Sequence, residues 1–168
     1  MYKQILVAVD GSETSSRALA AAIGLARDSG ARLQPLYVVD VPLMSYDVPG
    51  YDPSYVRDAL VAEGKHVLAD ATALMTAAGV IGPSRMVETD LTGDDTAHRI
   101  LLAAQEFNAD VVVMGTHGRR GVQRLVLGSV AEHFLRIATC PVLLISAHCP
   151  APAASPAKTE SEPVKDPS

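Results

Sequence analysis

Apolar positions along the chain fall into two alternating patterns. Short continuous runs, "QILVAVD" (4–10), "RLQPLYVVDV" (32–41), "DVVVMG" (110–115) and "CPVLLIS" (140–146), read as strands buried on both faces. "SRMVETD" (84–90) is a less apolar strand and suits a sheet edge. Between these runs, Ala, Leu and Ile recur at helical spacing. They do so in "SETSSRALAAAIGLARDSG" (12–30), in "YVRDALVAEGKHVLADATALMTAAG" (55–79), in "TGDDTAHRILLAAQEFNA" (92–109) and from about Ser129 to Ile137.

The local signals agree with this reading and raise two questions. Ser12 or Thr14 is placed to cap the first helix, and Gly30 to stop it. Acids fall in the first turn expected for the third helix, where the helix dipole favours them. Pro35 has no N–H to give a ladder, so its position should be an edge, a bulge or a strand start. Gly64 lies inside the second helix, where it costs about 1 kcal/mol relative to Ala, and the sequence gives no reason for it.

The resulting order, βαβαβαβαβ, predicts an α/β fold: a parallel sheet with helices on both faces. Ligands of such sheets bind at the carboxyl ends of the strands, where the strand order reverses. Two strand ends look unusual, Asp10-Gly11-Ser12 and the segment from Gly115 onward. If their strands are neighbours, the two loops share one crevice.

Length and composition fit this picture. A chain of 168 residues suits one domain and buries enough surface to fold without disulfides. With 4% aromatic residues and no Trp, the core must be aliphatic. The two cysteines, Cys140 and Cys149, form no CxxC motif or disulfide framework, which points to a reducing compartment. The apolar run near the start, Ile5 to Val9, is too short for a signal peptide or a membrane span. The expectation is therefore a cytoplasmic protein without a membrane partner. After residue 147 the composition changes. "CPAPAASPAKTESEPVKDPS" has five prolines and one large aliphatic residue, so 148–168 reads as a disordered tail behind a domain of residues 1–147.

Charge focuses attention on one stretch. The net charge is −5, yet the segment from Val111 to His148 holds four arginines and one acid, Glu132, for a net +3, leaving −8 elsewhere. A small cationic site on an acidic body suits a compact anion better than nucleic acid. Within that segment, "GTHGRRGVQRLVLGS" (115–129) spaces Gly115, Gly118, Gly128 and Ser129 up to a helix start. Glycine lets backbone N–H groups approach a ligand, and a helix N-terminus adds free N–H groups and partial positive charge. The combination reads as a phosphate cradle. The competing reading is a glycine-rich turn whose arginines are solvated. No GxxxxGK[ST] loop and no GxGxxG fingerprint occurs.

The spacing G-x2-G-x9-G-[S/T] resembles the signature of the universal stress proteins. "ILVAVDGSETSSRAL", "LYVVD", "VVVMGTHGRRG" and "CPVLLI" are similar to that family in order and spacing, over about residues 1–147. The resemblance implies an adenine-nucleotide α-hydrolase-like sheet, order 3-2-1-4-5, which sets strands 1 and 4 side by side. It implies binding of ATP or, in some members, cyclic AMP, with Mg²⁺ or Mn²⁺. Carried over by position, Asp10 faces the adenine and ribose, and Val38 offers backbone contacts to the adenine edge. Gly115 and Gly118 lie against ribose and phosphates. Gly128 and Ser129 hold the terminal phosphates, Ser129 also reaching the metal through water. From the residues themselves, His117 could contact phosphate or only bond the backbone, and one of the arginines, Arg119 among them, is the charge complement to a triphosphate.

Alternatives stay open at several of these residues. For Asp10 the alternative is a role confined to its turn, and Ser12 reads first as a helix cap. His66, His98, His133 and His148 show no metal-ligand spacing and read as structural or surface groups. The chain shows neither a P-loop Lys nor an evident base, which predicts a nucleotide-dependent sensor with at most slow ATP turnover. An ATP pyrophosphatase on a related fold would carry S-G-G-x-D-S after strand 1, where this chain reads "DGSETS". A dimeric interaction module without nucleotide is the other alternative. On that reading the intact glycine signature would have no physical purpose. Finally, strand 5 should lie at a sheet edge, and pairing Val142 to Ile145 with a second copy would cover it.

Overall fold

The computed structural model describes residues 1–41, 52–90, 95–118 and 127–147. Nine elements alternate along the chain: β1 (Gln4–Ala8), α1 (Glu13–Ser29), β2 (Arg32–Val39), α2 (Pro53–Ala77), β3 (Arg85–Glu88), α3 (Thr96–Phe107), β4 (Val111–Gly115), α4 (Ser129–Ile137) and β5 (Val142–Ile145). The five strands form one parallel sheet in the order β3-β2-β1-β4-β5. β1 and β4 are therefore neighbours, in the register Ile5 to Val111 and Val7 to Val113.

Strand alternation splits the core into two layers. Ile5, Val7, Leu33, Val111 and Val113 point to one face and pack with Ala18, Leu19 and Ala22 of α1 and Ala71 and Met75 of α2. Leu6, Leu36, Val112 and Met114 point to the other face and meet Ile100 and Ala103 of α3 and Ala131 and Phe134 of α4. Both faces are covered, which explains why the strands read as unbroken apolar runs.

The caps are set locally. Ser12 is the N-cap of α1, its hydroxyl accepting the Ser15 N–H at 3.2 Å, and Gly30 closes the helix in the left-handed region at φ +67°. Asp95 caps α3 by accepting the His98 N–H at 2.9 Å. The first turn of that helix holds no acid, so the dipole argument applies to the cap and not to the turn. Asp110 precedes β4, and its Oδ2 accepts the amides of Lys3 and Gln4 at 2.6 and 2.8 Å, tying the start of β1 to that of β4.

Pro35 corrects one expectation. It sits in the middle of β2, an interior strand, opposite Val7 of β1. The Leu33 N–H points away from β1, to the Ile81 carbonyl, and the period of two aims the Pro35 nitrogen the same way. On that side the β3 ladder begins only at Leu36, so no ladder bond is lost. Gly64 also gains its reason. A methyl there would stand 2.6 and 2.8 Å from the Tyr37 ring and 2.8 Å from Met86 Cε. The bare position lets α2 lie directly on β2 and β3.

Candidate functional site

The reversal of strand order between β1 and β4 opens a cleft of about 480 Å³ at the carboxyl ends of the strands. That volume lies within the range of small-molecule sites, about 300–1,000 Å³. One wall comes from Val9 and Asp10 after β1 and from Tyr37, Val38 and Asp40 at the end of β2. The opposite wall is Gly115 to His117 and Gly118 after β4, with Gly128 to Ala131 at the start of α4. Thr96 and Ile100 of α3 and Leu60 of α2 complete the lining.

Seven of the eight residues singled out from the sequence, Asp10, Val38, Gly115, His117, Gly118, Gly128 and Ser129, line this one cleft. Arg119, with Arg120 and Arg124, lies outside the described residues.

The loop after β1 is a tight polar turn. Gly11 takes φ +81°, and Asp10 Oδ1 accepts the Ser12 N–H at 2.9 Å. Asp10 thus serves its turn with one oxygen. Its other oxygen faces Gly118, where an added methyl would stand 2.7 Å from Oδ2. The two loops are clasped by Thr14 of α1, a buried residue whose hydroxyl donates to the His117 carbonyl. Sequence reading named Thr14 only as a possible cap, and its partner lies 103 residues away, beyond any local pattern.

The glycines pack closely with these loops. A methyl at Gly115 would stand 3.0 Å from Thr14 Cβ, and one at Gly128 would stand 3.1 Å from the Thr116 carbonyl oxygen. The expectation that a scaffold without ligand has no use for them is therefore corrected. Gly115 and Gly128 are also needed for the approach of the two loops.

The start of α4 leaves backbone donors on the lining of the cleft. Gly128 is the N-cap of α4 and makes no side-chain capping bond. The first intrahelical bond recorded there runs from the Glu132 N–H to the Gly128 carbonyl, so the amides of Ser129, Val130 and Ala131 have no acceptor within the helix. His117 Nδ1 lies 3.0 Å from Thr116 Oγ1, while its Nε2 is buried and has no hydrogen-bond partner among the described residues.

Beside the cleft, His98 and His133 meet at Asp95, although the sequence suggests separate structural or surface groups. Asp95 and His98 are three residues apart at the start of α3. His133 joins them only because α3 packs against α4.

No helix among the described residues is long and apolar enough to cross a membrane. Residues 1–146 match the family model described as the universal stress protein family. A universal stress protein family structure from Burkholderia pseudomallei is 51% identical, with a TM-score of 0.72 over 86% of this chain and 96% of that one. A universal stress protein in complex with cAMP is 27% identical, with a TM-score of 0.63 over 86% of this chain and 97% of that one. One from Archaeoglobus fulgidus in complex with dAMP is 26% identical, with a TM-score of 0.62 over 86% and 98%. Adenine nucleotides are thus ligands of relatives that share the sheet described above. With the order β3-β2-β1-β4-β5 and a family match over nearly all the residues ahead of 148, this chain belongs to the universal stress protein family.

Proposed function

We propose that the cleft binds an adenine nucleotide, ATP in the first instance, and that the protein is a nucleotide-dependent regulator of a stress response. One observation carries the reading. The uncapped N-terminus of α4, from Gly128 to Ala131, lies on the lining of the cleft at the reversal of strand order, across from Asp10 and Val38. Free N–H groups at a helix N-terminus suit phosphate oxygens. Val38, near the end of β2, and Asp10, after β1, also line the cleft, and on this reading Val38 would meet the base through its backbone and Asp10 the ribose. The donor set also fits Mg²⁺ or Mn²⁺, since the Ser129 hydroxyl and the Asp10 and Asp40 carboxylates are oxygen groups on the lining. A bound ion would offset phosphate charge there. The relative in complex with cAMP favours cyclic AMP as the second reading.

We also propose a homodimer through β5. It is an edge strand, and Leu143 is 39% exposed on it. An uncovered apolar edge invites pairing, and a second copy related by a two-fold axis would supply it. The protein would work in the cytoplasm, in keeping with its cysteine usage.

The test is mass spectrometry of small molecules released when the purified protein is denatured. ATP, ADP or cyclic AMP at a sizeable fraction of the chain concentration supports the nucleotide reading. Their absence, together with no binding of added ATP·Mg²⁺ or cyclic AMP, overturns it in favour of a dimeric interaction module.

A further inference from the structure

Asp95, His98 and His133 each offer a ligand atom, and the three atoms lie within 4.8 Å of one another. Asp95 Oδ1 stands 3.2 Å from His98 Nδ1, and its Oδ2 stands 2.5 Å from His133 Nδ1. The two rings are edge to face, their centroids 5.3 Å apart and their planes at 79°. From this arrangement the geometry points to a site for a divalent transition-metal ion, Zn²⁺ in chemical class, held by Asp95, His98 and His133 between α3 and α4.

The donor set selects the ion. Two imidazoles and one carboxylate suit Zn²⁺, Co²⁺ or Ni²⁺, whereas Mg²⁺ and Ca²⁺ prefer oxygen alone. The site is therefore chemically distinct from the oxygen groups proposed for Mg²⁺ in the cleft. Ligand bonds of about 2.0–2.2 Å in a tetrahedron place neighbouring donor atoms about 3.3 Å apart. The Asp95–His98 distance already matches such an edge. The Asp95–His133 hydrogen bond would open as the ion takes the place of its proton.

Each ligand is held by something other than the ion. Asp95 is fixed as the α3 cap by the His98 amide, His98 follows three residues later on the same helix, and His133 sits in the second turn of α4. The three side chains are between 39% and 50% exposed, so an ion can enter and keep water in its fourth position. Ser129 of the cleft lies one helical turn from His133, and Thr96 follows Asp95 directly, so bound charge here sits beside the nucleotide cleft.

The test titrates the chelator-treated full chain with Zn²⁺ against a chromogenic competitor, and with Co²⁺ for its tetrahedral absorption. The expected result is one ion per chain, weakened at least tenfold in Asp95→Asn, His98→Ala and His133→Ala and unchanged in His66→Ala. Asn caps a helix as well as Asp does, so Asp95→Asn tests the ligand without removing the cap. His66 is the control because it faces a carboxylate, Asp70, at 3.4 Å but has no third ligand among the described residues. Zn²⁺ should also raise Tm in the wild type and not in Asp95→Asn, because the ion binds only the folded site. No binding at micromolar Zn²⁺ would overturn the assignment. So would binding that survives Asp95→Asn and His133→Ala, or that is lost in His66→Ala.

Discussion

Two glycines lie inside helices, and the same substitution should move stability in opposite directions at each. Ala in place of Gly in a helix interior gains about 1 kcal/mol from propensity alone. At Gly24 of α1 an added methyl meets nothing within 4 Å, so that gain should appear whole. At Gly64 of α2 the methyl meets three atoms below 3.0 Å, two of them in the Tyr37 ring. Met86 Cε, the end of a flexible chain, can move aside. Tyr37 is 1% exposed and lies within the sheet-side core, so it cannot. Overpacking costs about 1–3 kcal/mol; three contacts below 3.0 Å put this one in the upper part of that range, about 2–3 kcal/mol, and with the propensity gain of about 1 kcal/mol subtracted Gly64→Ala should lose about 1–2 kcal/mol. A domain of this size shifts by roughly 2–4 °C per kcal/mol. Thermal unfolding followed by circular dichroism should therefore show Gly24→Ala raised by about 2–4 °C and Gly64→Ala lowered by about 2–8 °C. A Gly64→Ala protein as stable as the wild type or more so would refute the close packing of α2 on Tyr37.

Further predictions follow from the clasps and the edge. Thr14→Val keeps the shape of the side chain but removes the donor to the His117 carbonyl; denaturant unfolding should show a loss of about 1 kcal/mol, with nucleotide affinity reduced as the two loops separate. Asp110 is held below the usual carboxylate range by the Lys3 amide, then the Gln4 amide. Its contribution should be complete above the unfolded value of about 3.9 and lost as pH falls through the lower folded value. Asp110→Asn should therefore weaken the fold at neutral pH and flatten the stability curve below about pH 4, measured as urea midpoints across pH. Leu143→Lys should give a monomer by light scattering at micromolar concentration, and a wild type already monomeric there would contradict the β5 dimer.

How far the sequence discloses the molecule varies with the distance over which each residue acts. The strands were legible because two covered faces make every position apolar, as in Ile5 to Val7 and Val111 to Val113. Ser12 and Gly30 were legible because capping is local. Pro35 misled because the rule on strand prolines concerns the direction of one missing N–H, which depends on where the neighbouring strand begins. Gly64 was opaque because its reason is a ring on another element. The cleft was legible in Asp10 and the glycine spacing, since each loop carries its own signal. The clasp from Thr14 to His117, and the meeting of His133 with Asp95 and His98, depend on packing between distant segments. No spacing in one sequence encodes either.

The central claim is that the cleft between β1 and β4 is an adenine-nucleotide site. Calorimetric titration of the full chain with ATP·Mg²⁺ and with cyclic AMP, beside Gly118→Ala, tests it most directly. A methyl at Gly118 would stand 2.7 Å from Asp10 Oδ2 and, among the described residues, closer than 3.9 Å to nothing else, so it should disturb the site while sparing the fold. The account predicts one nucleotide bound per chain, with affinity at least tenfold weaker in a Gly118→Ala protein of unchanged Tm. No heat with either ligand, from protein shown to be free of bound nucleotide, would contradict it and leave the glycines as packing devices between two loops.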